Sequence, residues 1–126
     1  MVYVPKQVEY WSKSSDEDFA AARSLLEKGH LRHSLFFAHL ALEKMLKAHV
    51  TRQTGDIPPR IHNLVRLAGM ANLNPDSGQL EFLREFNLYQ LEGRYPDSQP
   101  ESIDLSLSLK EIGRAENILI WLKKQL

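Results

Sequence analysis

At 126 residues and 14.5 kDa the chain has room for one domain, residues 1–126, with a real apolar core, and a two-domain enzyme is excluded. The lack of cysteine removes disulfides, thiolate nucleophiles, zinc knuckles and iron-sulfur clusters. Sixteen Lys and Arg balance sixteen Asp and Glu, so there is no overall attraction to a phosphate backbone, and broad, non-specific RNA or DNA binding is disfavoured.

The first residues, Met1 to Lys6, lack the basic start, apolar run and small-residue cleavage site of an export signal, so a cytoplasmic location is expected. Val8, Trp11, Ser15, Phe19, Ala22 and Leu25/Leu26 then recur every three to four residues, which predicts an amphipathic helix over about 5–28. Ser14-Ser15-Asp16-Glu17 could cap a second helix in its middle, but one helix, bent there, is the preferred reading. Gly29 closes it, and a second helix is expected over about 31–52, ended by Thr54-Gly55-Asp56. Leu35, Ala38, Leu42, Met45 and Ala48/His49 form one apolar face, and Phe36, Phe37, Leu40, Ala41 and Leu46 spread apolar character round most of the circumference. Such a helix belongs at the centre of a bundle. Its apolar run over 35–42 is about half a bilayer span and contains a histidine, so no membrane segment is expected.

Ile57-Pro58-Pro59 is extended, a short third helix follows over about 61–71, and Asp76 or Ser77 can cap a fourth over about 78–92. The last helix, about 103–126, has Leu105, Leu109, Ile112, Ala115, Leu119 and Leu122 as its expected buried stripe. The fold expected is therefore all-α: an up-and-down four-helix bundle with one additional short helix.

Chemistry-bearing residues are few. His39, Glu43 and Lys47 form an i,i+4 line on the second helix, with Arg32 earlier on it. The line reads as an ordinary Glu43–Lys47 pair on the exposed edge of the bundle, or alternatively as a charged cleft wall where Lys47 and Arg32 meet phosphate. Five histidines show no metal-ligand spacing, so no metal or cofactor is expected; His62 reads as the start of the third helix. Hydrolase elbows, P-loops and dinucleotide turns are absent. Arg94, Tyr95 and Asp97 put a guanidinium, a phenol and a carboxylate just past the fourth helix. They suit a nucleotide, with Arg94 on phosphate and Tyr95 on the base, and equally suit a helix stop built from Gly93 and Pro96.

The run His39 to Ala48, followed by Pro58, His62-Asn63-Leu64 and Arg94-Tyr95-Pro96-Asp97, resembles the HEPN domain, the higher eukaryotes and prokaryotes nucleotide-binding family. The resemblance covers nearly the whole chain. It implies a helical bundle, a homodimer, and a role in binding a nucleotide such as ATP, in RNA cleavage, or beside a minimal nucleotidyltransferase in a toxin-antitoxin pair. RNA-cleaving members carry an arginine and a histidine four to six residues apart, whereas Arg94 is followed by Tyr95, Pro96, Asp97, Ser98, Gln99, Pro100 and Glu101. The expectation is a nucleotide-binding module without catalytic residues, its site drawn from Arg94, Tyr95, Asp97, Lys47, Glu43 and His39. A divergent, metal-independent ribonuclease toxin and a purely structural homodimer, packed through Phe36, Phe37 and Leu40, are the alternatives.

Overall fold

The computed structural model describes residues 2–90 and 103–126, and every regular element among them is helical. Helix α1 (Val4–Glu27) starts with Pro5 in its first turn, where the missing N–H costs nothing because that donor has no intrahelical acceptor. It runs unbroken through Ser14 and Ser15. The serines that resemble an internal cap are spent on the neighbouring helix: the Ser15 hydroxyl donates to the Ala41 carbonyl at 2.6 Å, and Ser14 Oγ accepts from Lys44 Nζ at 2.8 Å. Gly29, at φ 80°, supplies the left-handed residue that ends α1, with the His30 amide closing back on the Leu25 carbonyl at 2.9 Å.

Helix α2 (Leu31–Thr54) lies antiparallel to α1 and carries the core. Leu35, Ala38, Ala41, Leu42, Met45, Leu46 and Ala48 are all fully buried, as the wide apolar circumference predicts. Small residues let the two helices approach: Ala22, Ala38 and Ala41 are buried, and the Ser34 hydroxyl donates to the Ala22 carbonyl at 2.7 Å. Phe36, Phe37 and Leu40 are half-buried. Gly55, left-handed at φ 74°, ends α2.

Helix α3 (Leu64–Met70) is shorter than its apolar period suggests, because Asn63 caps it: Asn63 Oδ1 accepts from the Val65 and Arg66 amides at 3.0 and 3.2 Å. Helix α4 (Ser77–Phe86) starts on a capping box in which Asp76 and Gln79 satisfy each other's backbone amides. It stops at Phe86, short of the expected end. The chain tightens into a 3-10 turn, Asn87–Tyr89, because the Asn87 side chain is committed to α3, its Oδ1 accepting from the Leu64 amide at 2.9 Å. Residues 91 and 92 lie outside the described residues.

Helix α5 (Leu105–Lys124) is capped by Asp104 and packs mainly on α2. Its buried stripe is Ser108, Ile112, Ala115, Leu119 and Leu122, joined by Glu111 and Ile118. Leu105 and Leu109 are corrections to the expected stripe, since each is 54% exposed. Leu105-Ser106-Leu107-Ser108-Leu109 puts leucine on every side of the first turns, so hydrophobicity does not choose the face. Packing on α2 selects Ser108, whose hydroxyl bonds back to the Asp104 carbonyl.

His49 fixes α5 to α2. Its Nε2 lies 2.8 Å from the Leu122 carbonyl, and because a carbonyl only accepts, Nε2 must carry the proton, leaving Nδ1 to take a second one. Burial pulls the His49 pKa below its ordinary 6.5; the Leu122 hydrogen bond opposes that shift, and the Arg52 charge adds to it. The native state therefore binds fewer protons here than the unfolded chain. The stabilisation is complete above pH 6.5 and is lost as the pH falls below that value. Urea unfolding between pH 5 and 7.5 should show stability rising toward 6.5, with His49→Gln removing a component of up to about 1.4 kcal/mol per pH unit. Parallel profiles for the two proteins would contradict the assignment.

Candidate functional site

Glu43 projects from the middle of α2 and its side chain is only 6% exposed. A carboxylate inside an apolar helix is stable only when cations or donors surround it. Three residues do so. Lys47, one turn on, places Nζ 2.8 Å from Glu43 Oε2. His62, from the loop before α3, places Nδ1 3.1 Å from Oε1 and 3.2 Å from Oε2. His39, one turn back and fully buried, holds Nδ1 3.8 Å from Oε1, with its ring stacked parallel to Phe86.

The loop delivers His62 through a chain of local constraints. Gly55 turns the backbone out of α2, and buried Pro58 and partly buried Ile61 anchor the return. Asn63 then caps α3 while receiving a hydrogen bond from Asn87 Nδ2 at 3.3 Å. His62 thus precedes the cap instead of opening the helix as expected, and its Nδ1 faces Glu43. An ionised carboxylate only accepts, so Nδ1 carries the proton of the neutral ring. The His62 side chain is 44% exposed and is where the cluster reaches the surface.

Lys47 is shielded on its other side by α1. Its Nζ stands 5.6 Å from the centre of the Trp11 ring, a cation-π distance, and its side chain is 8% exposed. The Trp11 indole N–H is buried with no hydrogen-bond acceptor among the described residues. The adjacent Lys44 reaches α1 instead, with Nζ 2.8 Å from Asp18 Oδ2.

These positions change the reading of the i,i+4 line. It is not a pair on the exposed edge of the bundle: His39, Glu43 and Lys47 are all buried, and a fourth partner, His62, joins them. Arg32 is exposed and has no ion pair among the described residues. Arg94, Tyr95 and Asp97 lie outside the described residues. His62 and Trp11 are the members that sequence reasoning missed; only the spacing of the His62-Asn63-Leu64 connector after Pro58 signalled the first, and Trp11 reads as an ordinary core position on α1.

Glu43 and Lys47 form the buried ion pair of the cluster, and His62 is its half-exposed member. Among the described residues no three His, Asp or Glu side chains form a metal-ligating group. Tyr89, beside this end of the bundle and 8% exposed, keeps its phenolic proton more firmly than usual, through burial first and then through Glu111 and Glu85, against the opposing charge of Arg114. A more apolar groove of about 550 Å³, lined by Val4, Val8, Ser12, Arg52 and Lys123 among others, shares no residue with the cluster.

A helical bundle with a charged network on its central helix defines the class of fold, and comparison with known proteins gives it a family. The HEPN domain family model matches residues 8–125, and the chain belongs to that family. An archaeal HEPN homologue of known crystal structure superposes with a TM-score of 0.75 at 26% identity, covering 94% of this chain and 96% of that one. The crystal structure of TT1696 from Thermus thermophilus superposes with a TM-score of 0.76 at 21% identity, over 95% and 98% of the two chains, a likeness of fold. No curated protein sequence matches the chain.

Removing one partner from this cluster leaves a buried charge uncompensated. Glu43→Ala should lower the unfolding free energy by about 3 to 5 kcal/mol, measured by urea denaturation. A loss under about 1 kcal/mol would show that water reaches the cluster and that the network is not a buried one.

Proposed function

We propose that this chain is a HEPN nucleotide-binding module that recognises a nucleotide such as ATP, or a nucleotidyl group, and works beside a minimal nucleotidyltransferase partner in a toxin-antitoxin-like pair. The observation that carries the reading is the Glu43 cluster: a family member's central helix gives up apolar packing to hold Glu43, Lys47 and His39 together, and His62 links that cluster to the surface. In this reading Arg94 grips the phosphates, Tyr95 stacks on the base and Asp97 orients Arg94 or accepts from the sugar. Glu43 holds His62 through Nδ1, and Lys47 and His39 flank Glu43 in turn. The module acts as a homodimer, for which the exposed Leu105, Leu109 and Ile120 on α5 offer apolar surface.

The ribonuclease alternative keeps one physical support, a half-exposed imidazole, His62, whose Nδ1 is held by a carboxylate. The lack of a histidine soon after Arg94 weighs against it.

Calorimetric titration of the purified protein with ATP and other nucleotides, run beside folded Arg94→Ala, tests the reading. Saturable binding in the parent and a loss of at least about tenfold in affinity in the variant are expected, as for a charge-assisted phosphate contact. Absence of heat with every nucleotide, or equal affinity in both proteins, would overturn it.

A further inference from the structure

Two adjacent residues at the end of α4 reach the two histidines of the Glu43 cluster by different routes. Phe86, fully buried, lies parallel to the His39 ring, with centroids 6.5 Å apart and planes 4° apart. Asn87 reaches the connector that carries His62: its Oδ1 accepts from the Leu64 amide at 2.9 Å, and its Nδ2 donates to Asn63 Oδ1 at 3.3 Å. Both histidines face one atom, Glu43 Oε1, with His39 Nδ1 at 3.8 Å and His62 Nδ1 at 3.1 Å.

The two bonds of Asn87 decide which end of its carboxamide is which. A backbone amide only donates, so the atom facing Leu64 must be the oxygen, and the nitrogen is left for Asn63. Asn63 Oδ1 is fixed as an acceptor in turn, because it also takes the Val65 and Arg66 amides at 3.0 and 3.2 Å. Aspartate at position 87 would set an acceptor against that oxygen, and leucine would satisfy neither neighbour. Packing does not hold the connector at this point. Ile61 is partly buried, but His62 and Asn63 are exposed, so on the α3 side the backbone of His62 is located by the hydrogen bonds of Asn63. The far end of the clasp is anchored, since Asn87 follows Phe86 and starts the turn that ends at Tyr89, and those two buried rings meet at 4.8 Å.

We propose that Asn87 is a positioning residue of the candidate site: acting through Asn63, it holds His62 Nδ1 on Glu43 and so keeps the neutral imidazole in its Nδ1–H form. The same turn sets Phe86 against His39, which ties both histidines of the cluster to the end of α4, and the chain runs on in sequence from this turn to Arg94. The inference deepens the nucleotide reading and rests on it for the effect on affinity, whereas the effect on the imidazole needs no ligand.

Heteronuclear NMR of the imidazole nitrogens of the intact protein, at a pH where the rings are neutral, reads the tautomer of His62, whose signals are identified by their loss in His62→Gln. Asn87→Ala removes both bonds of the clasp. Asn63→Ser keeps a good cap on α3 and leaves the Asn87 bond to Leu64 in place, but its side chain is too short to meet Asn87 Nδ2, so it carries the test even where Asn87→Ala folds poorly. Asn63→Asp keeps an acceptor for both amides and for Asn87. In Asn87→Ala and Asn63→Ser the His62 ring should shift from the Nδ1–H toward the Nε2–H form, and calorimetric ATP affinity should fall about threefold to tenfold, the net worth of one hydrogen bond. Asn63→Asp should match the parent in both. The same tautomer shift in proteins whose parent binds no nucleotide would uphold the positioning role and overturn the nucleotide reading alone. A His62 ring that keeps the parent tautomer in folded Asn63→Ser, whatever happens to stability or affinity, would overturn the proposal, as would a shift in Asn63→Asp as large as that in Asn63→Ser.

Discussion

The structure turns on one carboxylate kept inside a helix bundle. Glu43 lies on α2, surrounded by fully buried Leu42, Met45 and Leu46, and its charge is tolerable only because Lys47 and His62 approach within 2.8 to 3.2 Å. Desolvating an ion costs several kcal/mol, and an apolar side chain would fill the same space at no such cost. Much of the surrounding architecture can be understood as what the charge demands. The loop after Gly55 brings His62 back to α2, Asn63 and Asn87 fix that loop to α3 and to the turn after α4, and Trp11 closes over Lys47 from α1.

The arrangement separates burial from access. Glu43 and Lys47 are held out of solvent, where their mutual attraction is strong and their geometry fixed, while His62 carries their influence to a half-exposed position. Polar ties elsewhere keep the helices from sliding and disturbing it. Ser15, Ser34 and Lys44 join α1 to α2, and His49 joins α2 to α5 through a single carbonyl. These bonds cross between helices at sites where alanine and serine allow close approach, so small displacements of α2 are resisted along much of its length.

The helical architecture was legible in the sequence because each element carries its own punctuation: Gly29 and Gly55 at left-handed positions, Asp76 with Gln79 in a capping box, and a broad apolar surface on α2. The misreadings have common physical causes. Where leucines surround a helix start, as at Leu105 to Leu109, only the tertiary partner selects the buried side. Where a side chain serves another element, as Asn87 serves α3, a helix ends before its local propensity does. The Glu43–Lys47 spacing was visible, but its burial was not, because an i,i+4 ion pair has the same sequence signature on a surface and in a core. His62 lies nineteen residues from Glu43, and only the folded loop brings them together.

The tautomer of His62 is the most direct measure of this account, since it depends on the carboxylate being ionised and in place beneath the ring. Heteronuclear NMR of the imidazole nitrogens, on the parent protein at a pH where the ring is neutral and on Glu43→Gln, reads it without reference to any ligand. The parent should carry its proton on Nδ1, and the variant should lose the preference or shift toward the Nε2 form. A parent ring protonated on Nε2 would mean that Glu43 does not accept from His62 and would contradict the central role given to that carboxylate.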